Sequence, residues 1–258
     1  MIRSAWKRLV GDRGAALPSG DQSSQQPAPP SGAAAPPPLP RSAYKAVWNQ
    51  LSDTESRAKM HVVGSEREED FSATAEETLA ALVSTVGVRS DDTILEIGCG
   101  VGRVGSVLAP RCREWIGCDV SSNMIAHTRA RLQQFPNVRA VEISGYDLQP
   151  IADQSVDLVY CTIVFMHLDE WDRYNYVLEA LRVLRPGGRI VIDNFSICSD
   201  AGWEVFEIHR RFPPAERPSH ISKSSTPQEL ETYLRRAGFA EVQGRTDGSI
   251  VRYWGIKP

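Results

Sequence analysis

Ile94-Leu95-Glu96-Ile97-Gly98-Cys99-Gly100-Val101-Gly102-Arg103-Val104-Gly105 decides the fold. A strand-favouring run, apolar except at Glu96, leads into glycines at alternate positions, and helix-compatible residues follow. Glycine is needed where a chain turns sharply and where its backbone must approach a ligand closely. A helix leaving such a turn directs its unpaired N–H groups to the same place. The pattern predicts a nucleotide-type cofactor site at the C-terminal end of a parallel strand.

Two cofactors fit this loop at first sight. Gly100-x-Gly102-x-x-Gly105 is a G-x-G-x-x-G, the dinucleotide fingerprint. Asp119, just after the next apolar run, is placed to hold ribose hydroxyls of either cofactor. Glu96 separates them. A dinucleotide loop receives a pyrophosphate on backbone amides, and a carboxylate at its mouth would repel that group. A ligand carrying a sulfonium and an ammonium instead suits an acid there.

Read as Glu96-x-Gly98-x-Gly100-x-Gly102, the loop resembles motif I of the class I S-adenosylmethionine-dependent methyltransferases, and among them the type 11 kind. Cys118-Asp119-Val-Ser-Ser-Asn-Met124 resembles the family's ribose-binding acid followed by an apolar wall for adenine. Ser155-Val-Asp157-Leu-Val-Tyr160 resembles its fourth strand. Leu181-Arg-Val-Leu-Arg-Pro186-Gly187-Gly188-Arg-Ile-Val-Ile resembles its helix, tight turn and fifth strand. The resemblance implies S-adenosyl-L-methionine as cofactor, held by Glu96, Gly98, Gly100, Gly102, Asp119, Met124, Tyr146 and Thr162. It departs from the family after the third strand, where Ser144-Gly145-Tyr146-Asp147 replaces the usual Gly-Asp-Ala.

The remaining sequence alternates strand and helix signals. Strands are predicted near 93–97, 114–118, 138–143, 156–164, 189–195, 240–244 and 250–256, and helices near 103–108, 122–134, 170–184 and 227–237. Thr226-Pro-Gln-Glu229 is a capping box, with Pro227 at the favoured first position and Gly238 as the stop. A second box, Thr74-Ala-Glu-Glu77, predicts the start of a helix that Gly87 ends. Such alternation gives an α/β, doubly wound, seven-stranded and mostly parallel sheet with an antiparallel last strand. This is the Rossmann-like fold that the resemblance also implies.

Three regions are expected. Residues 1–40 are rich in Pro, Ala, Ser and Gln and bury too little apolar surface to offset their ordering entropy, which predicts a disordered tail. Near its start, Ile2, Trp6, Leu9 and Val10 share a face, the pattern of a short interfacial helix. Residues 41–73 hold a helical lid or cap carrying Tyr44, Val47, Trp48 and Leu51. Residues 74–258 form the catalytic domain, with an irregular insert at 196–225.

Composition narrows the function. The 258 residues carry 29 Lys and Arg against 32 Asp and Glu, a formal charge of −3, which leaves no global basic footprint for nucleic acid. The five cysteines form no C-x-x-C pair, and no pattern of metal ligands is present. With no long apolar run and no signal-peptide core, a cytoplasmic protein is expected.

Methyl transfer is a displacement at carbon and needs alignment, exclusion of water and sometimes a base. His167, just after the fourth strand, is the candidate base. Trp203, Phe206 and Phe212, with Arg210, Arg211 or Arg217, are expected to select a small-molecule acceptor, with an anionic one favoured. RNA methylation and a non-catalytic scaffold are the alternative functions.

Overall fold

The computed structural model describes residues 43–258. The expected tail and the amphipathic segment around Trp6 lie outside the described residues. Helices α1 (Tyr44–Leu51), α2 (Glu55–Val63) and α3 (Glu68–Thr85) precede the first strand. Then come β1 (Thr93–Ile97), α4 (Gly105–Leu108), β2 (Glu114–Asp119), α5 (Ser122–Arg131), β3 (Val138–Glu142) and β4 (Val156–Cys161). The chain ends with α6 (Glu170–Val183), β5 (Leu184–Phe195), α7 (Asp200–Arg210), α8 (Pro227–Ala237), β6 (Ala240–Asp247) and β7 (Ile250–Ile256).

The seven strands order as β3-β2-β1-β4-β5-β7-β6. All pairs from β3 to β5 are parallel, and β7 runs antiparallel to both β5 and β6. The expected sheet is therefore present, and its one reversed strand is the last. Every residue of β1 is buried, as a strand covered on both faces requires. Leu95 and Ile97 pack with Ile116, Val159 and Ile192 on one face. Ile94 packs with Trp115, Leu158 and Tyr160 on the other.

Four local expectations are corrected. The helix expected to start at Thr74 starts at Glu68, so the boundary at 73/74 falls inside it. Phe71, Ala75, Leu79 and Leu82 are buried at helical spacing, and burial of Phe71 carries the helix upstream. Thr74 Oγ1 accordingly donates back to the Asp70 carbonyl at 2.9 Å instead of capping. Strand β4 stops at Cys161, because Ile163 takes a left-handed φ of 61° and its N–H bonds Asp193 Oδ1 at 2.8 Å. Strand β5 begins at Leu184, paired with Val156, ahead of the Pro-Gly-Gly turn. The insert is not irregular throughout, since Ser199 accepts from Gly202 N at 3.1 Å and caps α7.

Helix α8 follows its sequence signals closely. Thr226 Oγ1 accepts from Glu229 N at 3.1 Å, and Gly238 closes the helix at φ 102°. Thr226→Ala is expected to lower unfolding stability by roughly 0.5–2 kcal/mol, read from urea midpoints, while Thr226→Ser stays near wild type.

Candidate active site

The glycine loop is tied to β2 by its own backbone. Gly98 N and Cys99 N both donate to the Cys118 carbonyl, at 2.7 and 2.9 Å. Gly100 N donates to Asp119 Oδ2 at 2.9 Å, and Asp119 Oδ1 accepts from Ser121 N at 2.9 Å. Gly98 has φ 75°, and a Cβ there would lie 2.3 Å from Val164. Only glycine meets both demands.

Above the loop lies a cavity of about 100 Å³. Its walls include Glu96, Gly98, Gly100, Asp119, Met124, Thr162 and His167, so the sheet brings these expected residues together. Gly102 and Tyr146 are not among the lining residues. Gly102 packs toward Leu132 and Thr128, while Tyr146 is 51% exposed and Ile143 and Gly145 line the cavity instead.

Glu96 faces the opposite side of the sheet from Leu95 and Ile97, beside Tyr160 in the register. Trp115 Nε1 donates to Tyr160 Oη at 3.1 Å, and Tyr160 donates in turn to Glu96 Oε2. Burial pushes the Glu96 carboxyl up to about 8, against the opposing pull of that hydrogen bond and of Arg103. Burial also raises Asp119 to about 6, although backbone N–H groups from Ser121 and Gly100 hold it down. Two buried acids thus flank the loop, one ionised and one largely neutral at pH 7. Thr162 Oγ1 is buried with no partner. Cys99 sits in the loop, but burial drives its thiol well above the usual range, which leaves it inert.

The first two helices close the cavity, with Tyr44 and Trp48 from α1 and His61 and Val62 from α2. Sequence reasoning singled out the Trp48 helix but missed His61 and Val62, which sit in a polar stretch without apolar periodicity. Tyr44 Oη donates to Asp172 Oδ2 at 2.6 Å, Ser121 Oγ to Asn49 Oδ1 at 2.8 Å, and Asn123 Nδ2 to the Asn49 carbonyl at 3.0 Å. Trp48 meets the His167 ring edge-on at 4.9 Å, and the His61 and His220 rings meet at 5.3 Å.

His167 Nδ1 lies 2.9 Å from the His220 carbonyl. A carbonyl only accepts, so Nδ1 carries the hydrogen and Nε2 keeps its lone pair. Burial lowers the ring to about 3, which keeps it neutral. The insert reaches the site through the His220 carbonyl on His167, through Lys223, which pairs with Asp169, and through buried His209, which acts electrostatically on His167 and His220. The insert residues expected to select the acceptor do not line this cavity. Trp203 stacks on Phe206 at 5.0 Å with 49% exposure, Arg210 is exposed on Glu207, and neither they nor Phe212, Arg211 or Arg217 line the cavity.

A doubly wound sheet with a glycine loop and an acid at the next strand end defines a nucleotide-type cofactor protein. Residues 95–192 match a family model described as a methyltransferase domain. A probable S-adenosylmethionine-dependent methyltransferase of Mycolicibacterium smegmatis is 33% identical over 165 residues, 61% of either chain. The 27-O-demethylrifamycin SV methyltransferase of Amycolatopsis mediterranei is 29% identical over 182 residues, covering 66% of this chain and 63% of that one. A Thermotoga maritima S-adenosylmethionine-dependent methyltransferase, described as a possible histamine N-methyltransferase, superimposes with a TM-score of 0.61. It shares 19% identity, and the match covers 83% of this chain and all of that one. The chain spans less than two thirds of the length of these curated relatives. Over residues 95–192 the chain carries a methyltransferase-domain match, and it is similar there to S-adenosylmethionine-dependent methyltransferases of the type 11 kind. No helix among the described residues is long and apolar enough to cross a membrane.

The raised Glu96 value fixes a sign. Its folded pKa of about 8 exceeds its unfolded one, so between about pH 4.5 and 8 the native state holds more protons than the unfolded state. The stability owed to this group is present at low pH and lost as pH rises through 8. Urea midpoints of the ligand-free protein should fall from pH 5.5 to 8, and Glu96→Gln should flatten that fall. An equal slope in the variant would assign it to other groups.

Proposed function

We propose that this protein transfers a methyl group from S-adenosylmethionine to a small-molecule acceptor. The observation that carries the reading is the pair of buried carboxylates, Glu96 and Asp119, set on either side of the glycine loop in one cavity. Glu96 suits a cationic ligand, Asp119 suits ribose hydroxyls, and Gly98 and Gly100 leave room for close approach. The unpartnered Thr162 hydroxyl offers a further hydrogen bond. Met124 and Ile143 supply an apolar wall for a purine.

The bound cofactor supplies an electrophilic methyl carbon on a positively charged sulfur. The acceptor lone pair forms the new bond to that carbon while the carbon–sulfur bond breaks and its electrons remain on sulfur. S-adenosylhomocysteine and one proton result. His167 Nε2 receives the proton. Its low basicity suffices, because the acceptor becomes strongly acidic only as the methyl arrives, and a neutral ring does not repel a cationic donor. A relative whose name specifies 27-O-demethylrifamycin SV supports a small-molecule acceptor.

The helices α1 and α2 serve as a lid. A cavity of about 100 Å³ is below the roughly 300–1,000 Å³ of ordinary ligand pockets, which supports an outward swing of the lid to admit the cofactor. Once closed again, it excludes water from the reacting centre.

Two measurements test this reading. Glu96 must ionise to receive a cation, so affinity for S-adenosylmethionine should rise with pH up to about 8, with proton release. Calorimetry in two buffers of different ionisation heat reads that release, and Glu96→Gln should abolish it. Binding without proton exchange would remove Glu96 from the donor site. His167→Ala should lower turnover by roughly 10²–10⁴-fold with donor affinity unchanged. The wild-type pH profile should show no limb near 6.5, since His167 is neutral there.

A further inference from the structure

A second cavity, of about 520 Å³, lies beside the first, between α3 and the β6–β7 hairpin. Thr78 and Ala81 bound it on the helix side, and Arg245 and Arg252 on the sheet side. Val62, Arg103, Thr162 and Ile163 line both cavities, so the two share a wall.

That wall has three unusual properties. Ile163 is β-branched yet sits at φ 61°, a strained conformation that persists only where the surroundings enforce it. Asp193 enforces it by accepting the Ile163 N–H, and Arg252 Nη2 holds Asp193 at 3.1 Å. Thr162 Oγ1, on the same wall, is buried without a partner.

The third property is the charge of Arg103. The other two arginines of this cavity are neutralised, Arg252 by Asp193 and Arg245 by Asp247 at 2.7 Å. Arg103 is only 8% exposed, and among the described residues no carboxylate comes within ion-pair distance of it. Its Nη1 donates to Thr78 Oγ1 at 3.3 Å, and its Nε has no partner. Glu96, Asp193 and Glu77, the last also lining this cavity, act on it only from beyond that distance, so a buried guanidinium paired this loosely is costly and gains when an anion joins it directly. Its one hydrogen bond goes to a residue of the second cavity alone, which aims it there.

We propose that the second cavity is the acceptor chamber, that Arg103 anchors a carboxylate or phosphate of the acceptor, and that Thr162 and Ile163 form the wall where acceptor meets donor. This inference rests on the methyl-transfer reading and assigns its acceptor class: molecules with an apolar body and one anionic group.

Dansylglycine, a fluorescent carboxylate with an aromatic body, is the probe, titrated into the full chain saturated with S-adenosylhomocysteine. Wild type should bind it, and benzoate should compete. Arg103→Gln should weaken the probe about tenfold or more, by a clearly larger factor than it changes S-adenosylhomocysteine binding, and Arg103→Lys should retain most of the affinity for the probe. Ala81→Trp, which fills the chamber, should abolish probe binding and spare S-adenosylhomocysteine. Three results would overturn the proposal. One is probe affinity indifferent to Arg103→Gln or Ala81→Trp, and another is wild type that binds neither dansylglycine nor inorganic phosphate. The third is loss of S-adenosylhomocysteine in Arg103→Gln with the probe unaffected, which would assign the guanidinium to the donor's own carboxylate. Wild type that fails to bind S-adenosylhomocysteine would instead sink the methyl-transfer reading itself.

Discussion

The tie between the glycine loop and the end of β2 is the constraint on which the rest depends. Successive backbone N–H groups of the loop are spent on the Cys118 carbonyl and the Asp119 carboxylate. Thr128 Oγ1 donates to the Gly100 carbonyl at 2.7 Å and binds α5 to the same turn. A loop fixed on both sides holds one shape before any ligand arrives. That matters because ordering a mobile loop would subtract from binding. It also explains why Asp119 remains ionisable despite its burial: the backbone donors that shape the loop also solvate its charge.

Glu96 contrasts with it. It sits in the middle of the same structure with side-chain partners only, and its charge is poorly supported in the ligand-free state. The Trp115–Tyr160 hydrogen-bond chain satisfies its oxygen without neutralising it. Together the two acids give the cavity one fixed negative charge and one that a cation can call up. A buried acid with raised pKa in a cleft is the pattern expected of a functional group rather than a packing residue.

Much of this was legible in the sequence because local chemistry wrote it. The glycine spacing and the Thr226 box act within a few residues of themselves, while Glu96 and Asp119 stand near the ends of strands that the alternating pattern already aligns, and the structure sets both beside the loop. What the sequence hid was set by distant partners. Thr74 reads as a cap until burial of Phe71 extends the helix past it. Tyr146 reads as a cofactor contact until its backbone neighbours line the cavity in its place. The arginines of the insert advertise anion binding by clustering, yet they face solvent. Arg103 shows no such cluster, being embedded in a motif already explained by its glycines. Its significance comes from how far the surrounding carboxylates stand from it, and that distance has no sequence signature.

The edge-on contact of Trp48 with His167 has a consequence for the order of events. In the proposed lid, the closed arrangement of α1 and α2 is held by a few hydrogen bonds and ring contacts, and the arrangement that admits the cofactor is open. For such an equilibrium, apparent affinity equals intrinsic affinity multiplied by the open fraction. A lid closed nine parts in ten therefore weakens donor capture about tenfold, without any change in the donor's own contacts. With such a lid, residues such as Trp48, Asn49 and Tyr44 would set how much cofactor the protein holds at a given supply. The loop that recognises the cofactor need not change at all.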